Sequence, residues 1–201
     1  MKMAETSAPG SGGGHLISHY WDMTAPASGR TRNLHGLQVA LGDLICAALY
    51  EKLWPRLAQI DLDKVVANRP CAEEFAAQTY QHYASLIGPE AAQQVTQAAL
   101  SKYAEGEQLY NQLAPVVAEP NQVWQKLSPL FSSAAQLRQI YQQAGIPCTA
   151  TALGISKADL DNAYQFASRF RDRYTILDLA CDLGLLEELR EEVFAGAQVA
   201  R

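Results

Sequence analysis

Apolar residues recur every three to four positions along most of this 201-residue chain, in stretches rich in Ala, Gln, Leu and Glu. Nowhere do β-branched residues alternate with polar ones for long enough to build a sheet strand, so the pattern predicts an all-α helical bundle. The most apolar stretch, Leu34 to Trp54 (LHGLQVALGDLICAALYEKLW), is hydrophobic around most of its circumference apart from Gln38, Asp43 and the Glu51/Lys52 end. Such a helix belongs at the buried centre. The later helices are amphipathic and clearly punctuated. One runs from about Cys71 to Leu86 after Pro70, and Gly88-Pro89 opens the next with proline at a first helical position. Glu119-Pro120 begins another that Ser128-Pro129 breaks or kinks, and Gly145-Ile-Pro147 ends a run near Gln143. Ser156-Lys-Ala-Asp159 resembles a capping box with Asp in place of Glu, launching a helix toward Arg169. Asp172 to Asp182 and Leu185 to Ala195 close the chain, with Gly184 between them as a helix stop. With no internal repeat and no shift of composition, one helical domain over residues 15–201 is expected, after a flexible lead of residues 1–14.

Composition narrows the classes of function. Hydrophobic residues make up 48% and charged residues 18%, ordinary values for a globular protein. A net charge of -5 is wrong for a surface that neutralises phosphates, which argues against nucleic acid and anionic membranes as partners. No stretch reaches the ~18 apolar residues of a membrane span, and the first fourteen residues contain no apolar signal core, so a cytoplasmic location is expected. Cys46, Cys71, Cys148 and Cys181 are scattered without a CxxC pair and read as reduced thiols, mostly in the core.

Candidate chemistry gathers near the start. Ser11-Gly12-Gly13-Gly14 lacks the hydrophobic strand that precedes a Rossmann or Walker loop, and lacks the Walker Lys-Ser/Thr, so it reads as a linker or tight turn. HLISH places His15 and His19 on one helical face, one turn apart, which suits a shared metal ion and also an ordinary helix surface. His35, twenty residues after His15, adds a third imidazole, whereas His82 stands alone in a polar segment and reads as a surface residue.

The stretches SGGGHLISHYWDM, LHGLQVALG, AGIP, LGIS and RDRYTILDLACDLGLL occur in the order found in the C-terminal helical domain of bacterial-type sn-glycerol-1-phosphate dehydrogenases. These are members of the iron-containing alcohol dehydrogenase, glycerol dehydrogenase and dehydroquinate synthase superfamily, and the resemblance spans about Ser11 to Leu186. It implies a helical domain that supplies most of a divalent-metal site, zinc or nickel, facing a separate Rossmann-like domain that holds NAD(P). By that resemblance His15 and His35 are metal ligands, and His19 is a neighbouring active-site (catalytic) histidine that does not normally ligate. The third ligand would be an aspartate contributed before this domain, for which this sequence has no counterpart. The implied reaction reduces dihydroxyacetone phosphate, with the metal polarising the carbonyl that receives hydride from the nicotinamide.

Three departures qualify the resemblance. Gly14 stands where the family commonly has a glutamate, Leu37 replaces a second glutamate in the HG motif, and the nucleotide-binding half is missing. The expectation is therefore an incomplete enzyme, inactive alone, that needs a companion chain or self-associates through the apolar face left by the absent domain. Two alternatives are a non-enzymatic helical interaction module and a small-molecule-binding bundle. Arg169, Arg171 and Arg173 could serve a phosphate or, with Asp172 among them, mark an exposed helix start with local ion pairs. Tyr174 to Leu179 reads as packing.

Overall fold

A computed structural model describes residues 12–200, and these are helical with no strand among them, as the apolar spacing predicts. The α-helices run α1 (Gly13–Thr24), α2 (His35–Leu53), α3 (Leu62–Ala67), α4 (Ala72–Ile87), α5 (Pro89–Leu100), α6 (Gly106–Ala118), α7 (Pro120–Leu127), α8 (Ala134–Gln143), α9 (Lys157–Phe166), α10 (Ile176–Asp182) and α11 (Arg190–Ala197). Residues 1–11 of the expected flexible lead lie outside the described residues. Gly13 and Gly14, its last described members, already belong to α1 and are buried there.

The central helix is where the pattern put it. Leu41, Leu44, Ile45, Ala48 and Leu49 of α2 are fully buried, because α1, α8, α10 and α11 all pack around it. Burial of a Leu or Ile side chain contributes on the order of 1.5–3 kcal/mol, so this helix anchors the core. Helices α4 and α5 form an antiparallel hairpin through Gly88, whose φ of 86° suits a residue without a Cβ, and Pro89 starts α5 as expected. The α1–α2 crossing is closer still. A Cβ on Gly42 would lie 2.5 Å from the Gly14 carbonyl oxygen, and a Cβ on Gly14 would lie 2.7 Å from the Asp43 backbone nitrogen. Only glycine at both positions lets the two backbones touch.

The chain departs from the sequence pattern near its C-terminal third. α9 ends at Phe166 and a 3-10 turn carries Ala167–Phe170. α10 begins at Ile176, four residues later than expected, because the Asp178 carboxylate accepts from both the Thr175 backbone N–H (2.7 Å) and its hydroxyl (2.9 Å). Arg169 is therefore not on an exposed helix start. Only 6% exposed, it donates to Thr79 Oγ1 at 3.0 Å and Gln78 Oε1 at 2.9 Å while lying over the rings of Phe75 and Phe166. Nearby, Arg69 bonds the buried Asp182 at 2.6 Å, and the Tyr174 hydroxyl donates to the other carboxylate oxygen at 2.7 Å. Burial pushes the Asp182 carboxyl up from its ordinary value, and the Arg69 charge works in the opposite direction. Cys46 and Cys148 are buried free thiols, Cys181 is half-buried, and Cys71 is exposed. No described helix is long and apolar enough to cross a membrane.

Candidate metal centre

Helix α1 carries two faces. Leu16, Ile17, Tyr20 and Trp21 are buried, whereas His15, Ser18, His19 and Asp22 occupy positions i, i+3, i+4 and i+7 along one stripe. The glycine-mediated crossing presses this stripe against the start of α2, where His35 is the first helical residue. The result is a cluster of three imidazoles. His15 lies 4.6 Å from His19 and 4.6 Å from His35, ring centre to ring centre, and His19 lies 5.1 Å from His35. One ring nitrogen from each falls within 4.8 Å of the others. His15 and His19 are half-buried and His35 is exposed.

Polar neighbours set the orientation of His35. Its Nδ1 lies 2.9 Å from the hydroxyl of Ser18, which donates in turn to Gln38 Oε1 at 2.9 Å. With its one proton directed at Gln38, the Ser18 oxygen accepts from His35, so Nδ1 carries the hydrogen and Nε2 keeps its lone pair. Ser18 and Gln38 are both fully buried, and Asp22 Oδ2 is 3.7 Å from the same Nδ1. Burial, then the positive fields of His19, His35 and Arg173, push the His15 imidazole below its usual value. His19 is lowered by burial, His35 and Arg171, with Asp22 opposing. Both shifts favour the neutral ring, the form that binds a metal ion.

The structure thus brings all three sequence-predicted histidines together. His82 is the correction: it is half-buried, its ring 3.6 Å from that of Phe166 and its Nε2 2.8 Å from the Tyr20 hydroxyl. Burial, then Arg169, holds it down to about 4, so it is a neutral packing residue and not a surface one. Leu37, the apolar replacement in the HG motif, packs against the core. Sequence reasoning missed Ser18, Asp22 and Gln38 as partners of the cluster. A signal was present, since all three stand one helical turn from a histidine on an otherwise apolar helix.

Taken together, these features define an all-helical domain with a cluster of three histidines at the crossing of its first two helices. Two curated proteins are similar to it over short stretches, and both are named glycerol-1-phosphate dehydrogenase, NAD(P)+. The protein from Halalkalibacterium halodurans is 44% identical over 45 residues, 22% of this chain and 11% of its own length. That from Caldivirga maquilingensis is 38% identical over 60 residues, 30% of this chain and 17% of its own length. The resemblance to glycerol-1-phosphate dehydrogenases therefore holds over part of the chain. The matched stretches span less than a fifth of either relative. No family model matches the chain, and no solved structure does either.

Proposed function

We propose that this chain is the metal-binding helical half of a glycerol-1-phosphate dehydrogenase. In that role His15 and His35 hold a divalent ion, zinc or nickel, whose chemistry is to polarise the carbonyl of dihydroxyacetone phosphate. The hydride comes from NAD(P)H bound by a Rossmann-like domain. The observation that carries this reading is the convergence of His15, His19 and His35 at the α1–α2 crossing, with candidate nitrogens within 4.8 Å. Arg171 and Arg173, the positive groups felt by His19 and His15, suit an anionic phosphate beside the metal. Arg169 plays no part in binding it, being buried against Gln78 and Thr79.

The described residues contain no strand, so in this reading the dinucleotide sits on the Rossmann-like domain and the cytoplasm, where NAD(P)H is available, is the compartment. A non-enzymatic interaction module is the second reading, favoured by one observation: Leu37 packs against the core where the family has a carboxylate. Calorimetric titration of the chain with zinc and nickel separates the two. Micromolar or tighter binding that His15→Ala/His35→Ala abolishes supports the enzyme half, and binding absent or unchanged in that variant refutes it.

A further inference from the structure

We propose that His19 is a direct ligand, so that this chain holds its divalent ion through three imidazoles and needs no carboxylate from another domain. The inference rests on the metal reading above and goes beyond it, because the resembled family uses two histidines and an imported aspartate. Three observations carry it.

The first is distance. A tetrahedral zinc with Zn–N bonds of about 2.0–2.1 Å needs its ligand nitrogens about 3.3 Å apart. Here one nitrogen of each ring lies within 4.8 Å of the others, and all three side chains are partly exposed. The second is the state of the rings. Histidine ring hydrogen bonds among the described residues are those of His35 to Ser18 and of His82 to Tyr20, so among these residues the half-buried rings of His15 and His19 have no hydrogen-bond partner. The rings nearest His19 are those of His15, His35 and the edge of Phe170, with Asp22 and Arg171 as charged neighbours. A shared ion would satisfy both rings at once. The third is the buried relay from His35 through Ser18 to Gln38, which puts the hydrogen on Nδ1 and leaves Nε2 to ligate. An outer partner of this kind orients a ligating histidine and raises its basicity.

Charge completes the picture. Three neutral imidazoles leave the ion's full positive charge in place, and Asp22, 3.7 Å from His35 Nδ1, supplies the nearest carboxylate at the outer edge of the cluster. With three protein ligands the ion would keep one coordination position for water or a carbonyl oxygen, and the exposed side of His35 is where solvent would reach it.

The test uses the full chain loaded with cobalt(II), with X-ray absorption to count imidazoles and a metal titration to measure affinity. The wild-type chain is expected to show three imidazoles per ion. His19→Ala is expected to show two and to bind at least about 100-fold more weakly, beyond the 10–100-fold that loss of an outer partner costs. His19→Asn guards against a folding artefact, with helical content checked by circular dichroism. If His19→Ala and His19→Asn bind as the wild type does, with an unchanged imidazole count, while His15→Ala and His35→Ala lose the ion, the three-histidine proposal is overturned and the two-histidine reading stands. If the wild type binds no cobalt, both fall.

Discussion

Replacing Gly42 with alanine would drive a methyl group to 2.5 Å from the carbonyl oxygen of Gly14 and 2.8 Å from its Cα. Ordinary contact begins at 3.4 Å, so the two helices fall short of accommodating it by about 0.6–0.9 Å. Both neighbours are backbone atoms of a buried helix, and no side chain can swing aside to relieve the clash. Parting helices by that distance forfeits roughly a quarter to a half of each contact's attraction along the crossing. Overpacking of this kind costs about 1–3 kcal/mol. Against it stands the gain of about 1 kcal/mol from removing a mid-helix glycine. Because the obstruction is rigid, the upper part of the range applies, and a net loss of about 2 kcal/mol is expected. For a chain of this size that lowers the melting temperature by about 4–8 °C. Thermal unfolding followed by circular dichroism measures it directly. Gly36→Ala is the control, since a Cβ there meets nothing within 4 Å and should leave stability unchanged or slightly higher. The reasoning fails if Gly42→Ala melts within about 1 °C of the parent, or if Gly36→Ala is equally damaging.

Other outcomes follow from the same contacts. His82 is held down to about 4 in the folded chain and takes up its proton at an ordinary 6.5 when unfolded. Stability is then intact above pH 6.5 and is lost as pH falls toward 4, by up to about 3 kcal/mol before screening and about 1–2 kcal/mol after allowing for its partial exposure. Urea unfolding at pH 7 and pH 4.5 should show that drop, and His82→Gln should make it shallower. Asp182→Ala leaves the Arg69 guanidinium buried and unpaired and should destabilise by about 3–5 kcal/mol, whereas an unchanged denaturation midpoint would contradict the buried pairing. Zinc at a hundredfold excess over its dissociation constant should raise stability by about 2.7 kcal/mol, reversibly with a chelator. That gain should vanish in His15→Ala/His35→Ala and shrink below pH 6, where protons compete for the imidazoles.

Much of the fold is written in one-dimensional spacing. The all-round apolar run of α2 announces a central helix, and Pro89, Ser128-Pro129 and Gly184 mark boundaries by local backbone chemistry that tertiary contacts do not override. The start of α10 was not legible, because Asp178 caps Thr175 only once the turn after α9 has formed. Arg169 and His82 were misplaced for a related reason. Each is polar, and its burial depends on a partner far away in sequence: Gln78 and Thr79 for the arginine, Tyr20 and Phe166 for the histidine. The candidate site was legible as His15, His19 and His35. The Ser18–Gln38 relay left only a weaker signal, a polar residue one turn from each histidine, because the bond itself forms only when α1 and α2 meet. Gly14 also gains a meaning the sequence did not show: the close approach to Asp43 and Gly42 makes it a packing requirement.

The account turns on an ion sitting among the three imidazoles at the α1–α2 crossing. Anomalous diffraction at the zinc edge from crystals grown with zinc locates it most directly. The account predicts one strong peak about 2.0–2.1 Å from a nitrogen of each of His15, His19 and His35. A structure with zinc present in solution, these three rings well ordered and no peak between them would contradict it.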